Sequence, residues 1–268
     1  MTQEMIRERL KGIRCFLLDM DGTFYLGDRL IEGSLEFLDA LHRTGRTARF
    51  VTNNSSKSAS VYDQKLMRMG VNERYRDVIT SGHAAAHYCL AHFPGKRCYL
   101  LGNPMLREEM LAMGMNLTQG EEEADYVLVA FDTTLDYAKM CRVCDEIRAG
   151  KPYIATHPDY NCPTETGFIP DMGAIMAFIK ASTGRDADVI LGKPYRGIVD
   201  EALERTGFAL EEMAMVGDRL YTDVATGVRH GMTGILVLSG EATMEDVKNS
   251  DVEPHLIFGR LADMIPYL

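Results

Sequence analysis

Cys15-Phe16-Leu17-Leu18-Asp19-Met20-Asp21-Gly22-Thr23 is a short apolar run that ends abruptly in acid. Continuous apolar residues without alternation mark a strand buried on both faces of a parallel sheet, and the carboxylates of Asp19 and Asp21 then stand beyond its C-terminal end. Two residues apart in extended chain, they leave on the same side, and Gly22 permits an abrupt turn straight afterwards. Downstream, Leu35, Leu38 and Leu41 recur at helical spacing around a helix predicted over 36–43; Gly45 closes it, and 47–51 reads as the next strand. That is one βαβ unit. The alternation returns near the C-terminus with a strand at 213–216, a helix around 224–229 and a strand at 235–238. Strands alternating with helices define the α/β class, here a Rossmann-like, doubly wound parallel sheet whose ligands gather outside the carboxyl ends of its strands.

Three more stretches sit beside predicted strand ends or helix starts: Thr52-Asn53-Asn54-Ser55, Gly192-Lys193-Pro194, and Gly217-Asp218 followed by Asp223. Each alone reads as an ordinary loop or cap, Gly-Lys-Pro being no more than a helix opening at proline and Asp-x-Asp-Gly-Thr a surface turn. Thr52 and Asn53 could equally cap the helix expected near Ser58, and Asp223 could simply favour the first turn of the helix running to His230. Together and in this order they supply the parts of phosphoryl transfer. A phosphoester can be opened by water activated on a metal or by a carboxylate nucleophile, and the second carboxylate fits the second route: if Asp19 attacks phosphorus, Asp21 can act as acid for the leaving alkoxide and as base for water. Thr52, Asn53 and Asn54 are candidate donors to the phosphate of the substrate, and Lys193 is a fixed cation for its oxygens. Carboxylates held close resist joint ionisation, which a hard divalent cation relieves; oxygen ligands and phosphate chemistry favour magnesium, with Asp218 as the further anionic arm. Asp223 is placed to hold Lys193 or a water on the metal rather than the metal itself. The pattern is not an EF-hand loop, because Gly22 falls two positions too early, and no Walker-type phosphate loop occurs.

Composition narrows the partners. The chain has 268 residues, 46% of them hydrophobic, enough for one large or two modest domains. A net charge of -10 repels polyanions, so nucleic acid is not an expected partner. Residues 1–12 carry charges throughout and no apolar core of a signal segment, and no apolar run nears the roughly 20 residues of a membrane-spanning helix. The expectation is a cytoplasmic protein with six reduced cysteines, no membrane contact, and a small-molecule phosphomonoester as partner. Homo-oligomerisation is left open.

From Gly82 to about Gly184 come further strands (98–101, 126–130, 153–155) and helices (105–113, 137–149), with none of the four stretches. The expected organisation is therefore a core from 1–81 and 184–268 interrupted by a second α/β domain over 82–183. Within it, His83 and His87 are four apart on a helix, but Ala84 stands where a zinc peptidase needs glutamate, so they read as structural. Cys141 and Cys144 have no second Cys-x-x-Cys and read as helix packing, and Met105, Met110 and Met113 as adaptable core filler.

The four stretches, with their flanks Phe16-Leu17-Leu18, Phe50-Val51, Leu191 and Val216, resemble those of the haloacid dehalogenase (HAD) superfamily of aspartate-nucleophile phosphatases. The closest likeness is to its NagD / 4-nitrophenylphosphatase-like branch, and it extends through most of the chain, including Thr80-Ser81-Gly82. The resemblance implies Asp19 as nucleophile, Asp21 as acid/base, and magnesium held by the Asp19 side chain, the Asp21 backbone carbonyl and Asp218. It also implies that 82–183 is a C2-type α/β cap that covers the site and selects substrate. The activity implied is magnesium-dependent hydrolysis of small phosphomonoesters, such as a sugar phosphate or nucleoside monophosphate, through an aspartyl-phosphate. A phosphotransferase or phosphomutase using the same intermediate, and a non-enzymatic sensor, are the alternatives. His157 and Asp171 depart from the branch, which commonly has asparagine and glycine there. They lie in the cap loop expected to face the leaving group and bear on substrate.

Overall fold

The structure, a computed structural model, describes residues 2–164 and 167–268. It divides into two compact units, the first comprising the chain up to Thr52, Ser60–Ile79 and Ala202–Leu268, the second Asn53–Ala59 and Thr80–Glu201. Among the described residues no helix is long and apolar enough to cross a membrane.

The first unit is built on a six-stranded sheet in the order Leu256–Phe258, Thr233–Val237, Met213–Gly217, Cys15–Leu18, Thr47–Thr52, Val78–Thr80. Cys15–Leu18 is central and fully buried, as its apolar sequence requires, and pairs in parallel with strands on both sides: Leu18 lies opposite Val216 on one and Phe50 on the other. The chain first winds outward through Thr47–Thr52 and Val78–Thr80, then returns on the other flank from Met213. The change of direction falls between Cys15–Leu18 and Met213–Gly217, and such switch points open a crevice at the strand C-termini. The helix Ser34–Arg43 buries Phe37, Leu38 and Leu41 against this sheet, with Phe37 edge-to-face on Phe16 at 5.6 Å. Burial of each such side chain contributes roughly 1.5–3 kcal/mol, which anchors the central strand.

The second unit carries its own parallel sheet, ordered Val189–Ile190, Tyr153–Ala155, Tyr126–Val129, Arg97–Leu101, Asn116–Leu117. Tyr126–Val129 alternates between two cores, Tyr126 and Leu128 facing one and Val127 and Val129 the other, so helices cover both faces. Asn103 and Asp136 cap two of those helices, accepting from Leu106 and Lys139 N–H at 2.9 and 2.8 Å. In the helix Tyr137–Arg148, Cys144 packs into a core as expected, whereas Cys141 is exposed and does not. Met110 is core and Met113 partly so, whereas Met105 is 40% exposed.

The second unit takes in more of the chain than 82–183. Val189–Ile190 pairs beside Tyr153–Ala155, so the chain packs with the second unit up to Glu201, and Asn53–Ala59 packs there too. A two-residue edge strand is too short to show periodicity, so this boundary is set by pairing alone. The antiparallel hairpin Asn161–Thr164 with Gly167–Pro170 also lay outside expectation, because Pro163 and Pro170 argue against a strand and its residues are mostly exposed.

Candidate active site

In the first unit the acidic stretch is shaped by its backbone. Asp19 N–H donates to the Val216 carbonyl at 2.9 Å, continuing the ladder one residue beyond the strand, and the Met20 carbonyl then accepts from Phe24 N–H at 2.9 Å to close a tight loop. Gly22 has φ +85°, and a Cβ there would fall 2.3 Å from Oδ2 of Asp218, so both its conformation and its space demand glycine. A Cβ on Gly240 would come within 2.0 Å of the same oxygen. Asp218, which follows the neighbouring strand, is thus enclosed by two loops. Its Oδ2 accepts from Glu241 N–H at 2.7 Å and its Oδ1 faces the Thr23 hydroxyl at 3.5 Å. Burial, and then the nearby Asp223 charge, push its carboxyl up to about 6.

Asp223 lies in a π-helical turn, Leu220–Val224, directly before the short helix Ala225–Arg229. It is fully buried and accepts from Arg219 N–H at 3.1 Å. Carboxylate oxygens of Asp19, Asp218 and Asp223 all lie within 4.8 Å of one another. Asp223 thus stands beside the other two carboxylates, while the group does not include Asp21, whose backbone bridges to Tyr25. The donors are all oxygen, crowded enough to raise a carboxyl, in a cradle that glycines keep open. That set fits a hard divalent cation such as magnesium. Arg219 is a site residue that sequence reasoning passed over. Burial works against its charge, but Asp19 foremost, then Tyr221, Asp223 and Glu241, hold it protonated. Its only signal was adjacency to Asp218. Thr52 ends the strand Thr47–Thr52 on the other side of the central strand and is buried.

In the second unit, Asn53 does not cap a helix. Its Nδ2 donates to the Lys193 carbonyl at 2.9 Å and its Oδ1 accepts from Lys193 N–H at 2.7 Å, a two-point clamp on the lysine backbone. The Ser81 hydroxyl donates to the Asn53 carbonyl. Asn54 spends its Oδ1 on Ser56 N–H at 2.9 Å, an Asx turn that shapes the loop. Asp159, also missed, accepts from Asn53 Nδ2 at 3.1 and 3.2 Å. His157 and Asp171 are buried rather than displayed on a surface loop. His83 and His87 turn to different carboxylates, Glu109 at 3.3 Å and Glu201 at 2.5 Å.

Family models for haloacid dehalogenase-like hydrolase and HAD-hydrolase-like domains match residues 16–116 and 190–264. An acid sugar phosphatase of Staphylococcus aureus is 36% identical over 259 residues, covering 97% of this chain and 99% of the relative. The crystal structure of a 4-nitrophenylphosphatase from Thermotoga maritima superposes with a TM-score of 0.92 at 47% identity, over 96% of this chain and 98% of that one. A glycerol phosphate phosphatase from Mycobacterium tuberculosis, solved in complex with magnesium, gives 0.86 at 29% identity, over 95% and 77%. A doubly wound parallel sheet with paired aspartates at its switch point and these relatives define one class: the chain belongs to the HAD-like hydrolases. Within that family it is a phosphoric monoester hydrolase of the NagD / 4-nitrophenylphosphatase-like branch.

Proposed function

We propose that this phosphatase is magnesium-dependent and hydrolyses small phosphomonoesters, sugar phosphates foremost, through an aspartyl-phosphate on Asp19. The observation that carries the reading is the convergence of Asp19, Asp218 and Asp223 within 4.8 Å at the switch point of the sheet. Asp19, Asp218 and the Asp21 carbonyl would hold the ion, which when bound offsets anionic charge and polarises the phosphoryl group. An Asp19 oxygen attacks phosphorus as the ester P–O bond breaks, and Asp21 gives its proton to the departing alkoxide. Asp21 then takes a proton from water, the water oxygen bonds to phosphorus, and the Asp19–phosphorus bond breaks to release inorganic phosphate. Asp19 holds the Arg219 guanidinium charged beside it, and Asp223 fixes the Arg219 backbone. Thr52 and Lys193 serve the phosphate oxygens by the resemblance of their motifs, while the Asn53 side chain, committed to Lys193 and Asp159, holds the lysine backbone and Asn54 shapes the loop. The sugar-phosphate preference rests on the acid sugar phosphatase relative.

Asp19→Asn is expected to lower kcat for 4-nitrophenyl phosphate by at least about 10³-fold with an unchanged melting temperature. Turnover near wild type would remove Asp19 as nucleophile. Phosphate release across a panel of sugar phosphates, compared with nucleoside monophosphates, tests the substrate class. Phosphate yield that falls as an added alcohol is phosphorylated would point instead to a transferase.

A further inference from the structure

One cluster of buried charge in the second unit is not used by the mechanism above. His157 is completely buried; its Nδ1 lies 3.8 Å from Oδ2 of Asp159 and its Nε2 3.5 Å from Oδ1 of Asp171. Both carboxylates are themselves buried, Asp159 at 9% and Asp171 at 5% side-chain exposure. Each carries a structural duty. Asp171 caps the helix Met172–Thr183, its Oδ1 accepting from Met172 N–H at 2.6 Å, and Asp159 receives the Asn53 amide. Asn53 in turn clamps the Lys193 backbone at both its N–H and its carbonyl. Gly192 brings the Gly-Lys turn onto these side chains, since a Cβ there would fall 2.6 Å from Asn53 Oδ1 and 2.8 Å from His157 Cβ. A continuous path therefore runs Asp171, His157, Asp159, Asn53, Lys193.

Two buried carboxylates so near each other lose hydration and repel. An imidazole protonated on both nitrogens can face one carboxylate with each.

We propose that His157 is a positioning residue for Lys193, acting through Asp159 and the Asn53 clamp, and that Asp171 is the counter-charge that keeps His157 in place. This rests on Lys193 being the cation that serves the transferring phosphate. Losing the imidazole strands two buried carboxylates beside each other and loosens the clamp. Losing Asp171 at the same time removes one of those charges and leaves Asp159 with the Asn53 amide. The single variant is therefore more damaging than the double.

The test is steady-state kinetics of the full chain on 4-nitrophenyl phosphate at saturating magnesium. His157→Asn is expected to lower kcat about tenfold with KM within about twofold, and His157→Asn/Asp171→Gly to recover to within about threefold of wild type. Asp171→Asn, which keeps a capping oxygen but removes the charge, is expected to lower kcat about threefold and reads the same coupling if His157→Asn does not fold. A His157→Asn enzyme with a lowered melting temperature but wild-type kcat, or a double variant worse than either single, overturns the proposal. So does one equivalent of zinc or manganese retained by wild type and lost in His157→Asn. Lys193→Ala separates the two readings: inactive, it leaves the proposed function standing whatever His157 does; active, it withdraws the role of Lys193 itself.

Discussion

Each unit holds three ionisable side chains with ligand atoms within 4.8 Å of one another, and they differ in a single respect. Asp19, Asp218 and Asp223 are all carboxylates. Asp159 and Asp171 have His157 between them. In the first unit burial, and then the charge of Asp223, raise the carboxyl of Asp218 even with Arg219 nearby. In the second an imidazole stands between the two carboxylates and, on the proposal above, supplies the opposing charge. Buried acid in excess calls for an external cation; buried acid balanced by a base does not.

The largest effect expected to test this contrast follows Asp218→Asn. Magnesium at a hundred times its Kd should stabilise wild type by about 2.7 kcal/mol, and the variant should lose most of that shift while rising in melting temperature without metal. Equal magnesium shifts in both proteins would break the comparison. His157→Asn, by contrast, should leave the magnesium shift intact.

A smaller change is expected from Gly22→Ala. Its φ of +85° and the Asp218 oxygen 2.3 Å from the new Cβ both oppose the methyl group. Backbone strain alone costs about 1–2 kcal/mol, and displacement of Asp218 should weaken magnesium in a titration followed by calorimetry. Unchanged magnesium affinity would mean that the Gly22 loop does not shape the cradle.

The smallest effect is one of pH. Because the folded Asp218 carboxyl titrates near 6 rather than at 3.8, its contribution to stability is complete below about pH 4 and is lost as pH rises through about 6. In chelator, wild type minus Asp218→Asn melting temperature should therefore become more negative from pH 4 to 7, and added magnesium should reverse the trend. A flat difference would show that Asp218 is not strained.

How far the sequence was legible depended on the length of the signal. Cys15–Leu18 and Tyr126–Val129 announced themselves as continuous apolar runs, and the helix Ser34–Arg43 by its leucine spacing. Val189–Ile190 and the antiparallel pair Asn161–Thr164 with Gly167–Pro170 did not, because a two-residue edge strand has no period and proline contradicts strand chemistry. Of the candidate site, Asp19, Asp21, Asp218 and Lys193 stood in motifs whose order was informative. Arg219 stood in one of those motifs and Asp159 outside all of them, both without a role, since a charge acquires one only from what folding sets beside it.

Sequence alone therefore determined the class of chemistry and the alternation of strands and helices, because both depend on residue type and near-neighbour spacing. Tertiary structure decided the rest. It drew Asp223 into the carboxylate group, turned Asn53 from a possible cap into a clamp on a lysine 140 residues away, and buried His157 between two acids. Those contacts join residues far apart in the chain, and hydrogen bonding, desolvation and charge balance act on distance in space rather than distance in sequence.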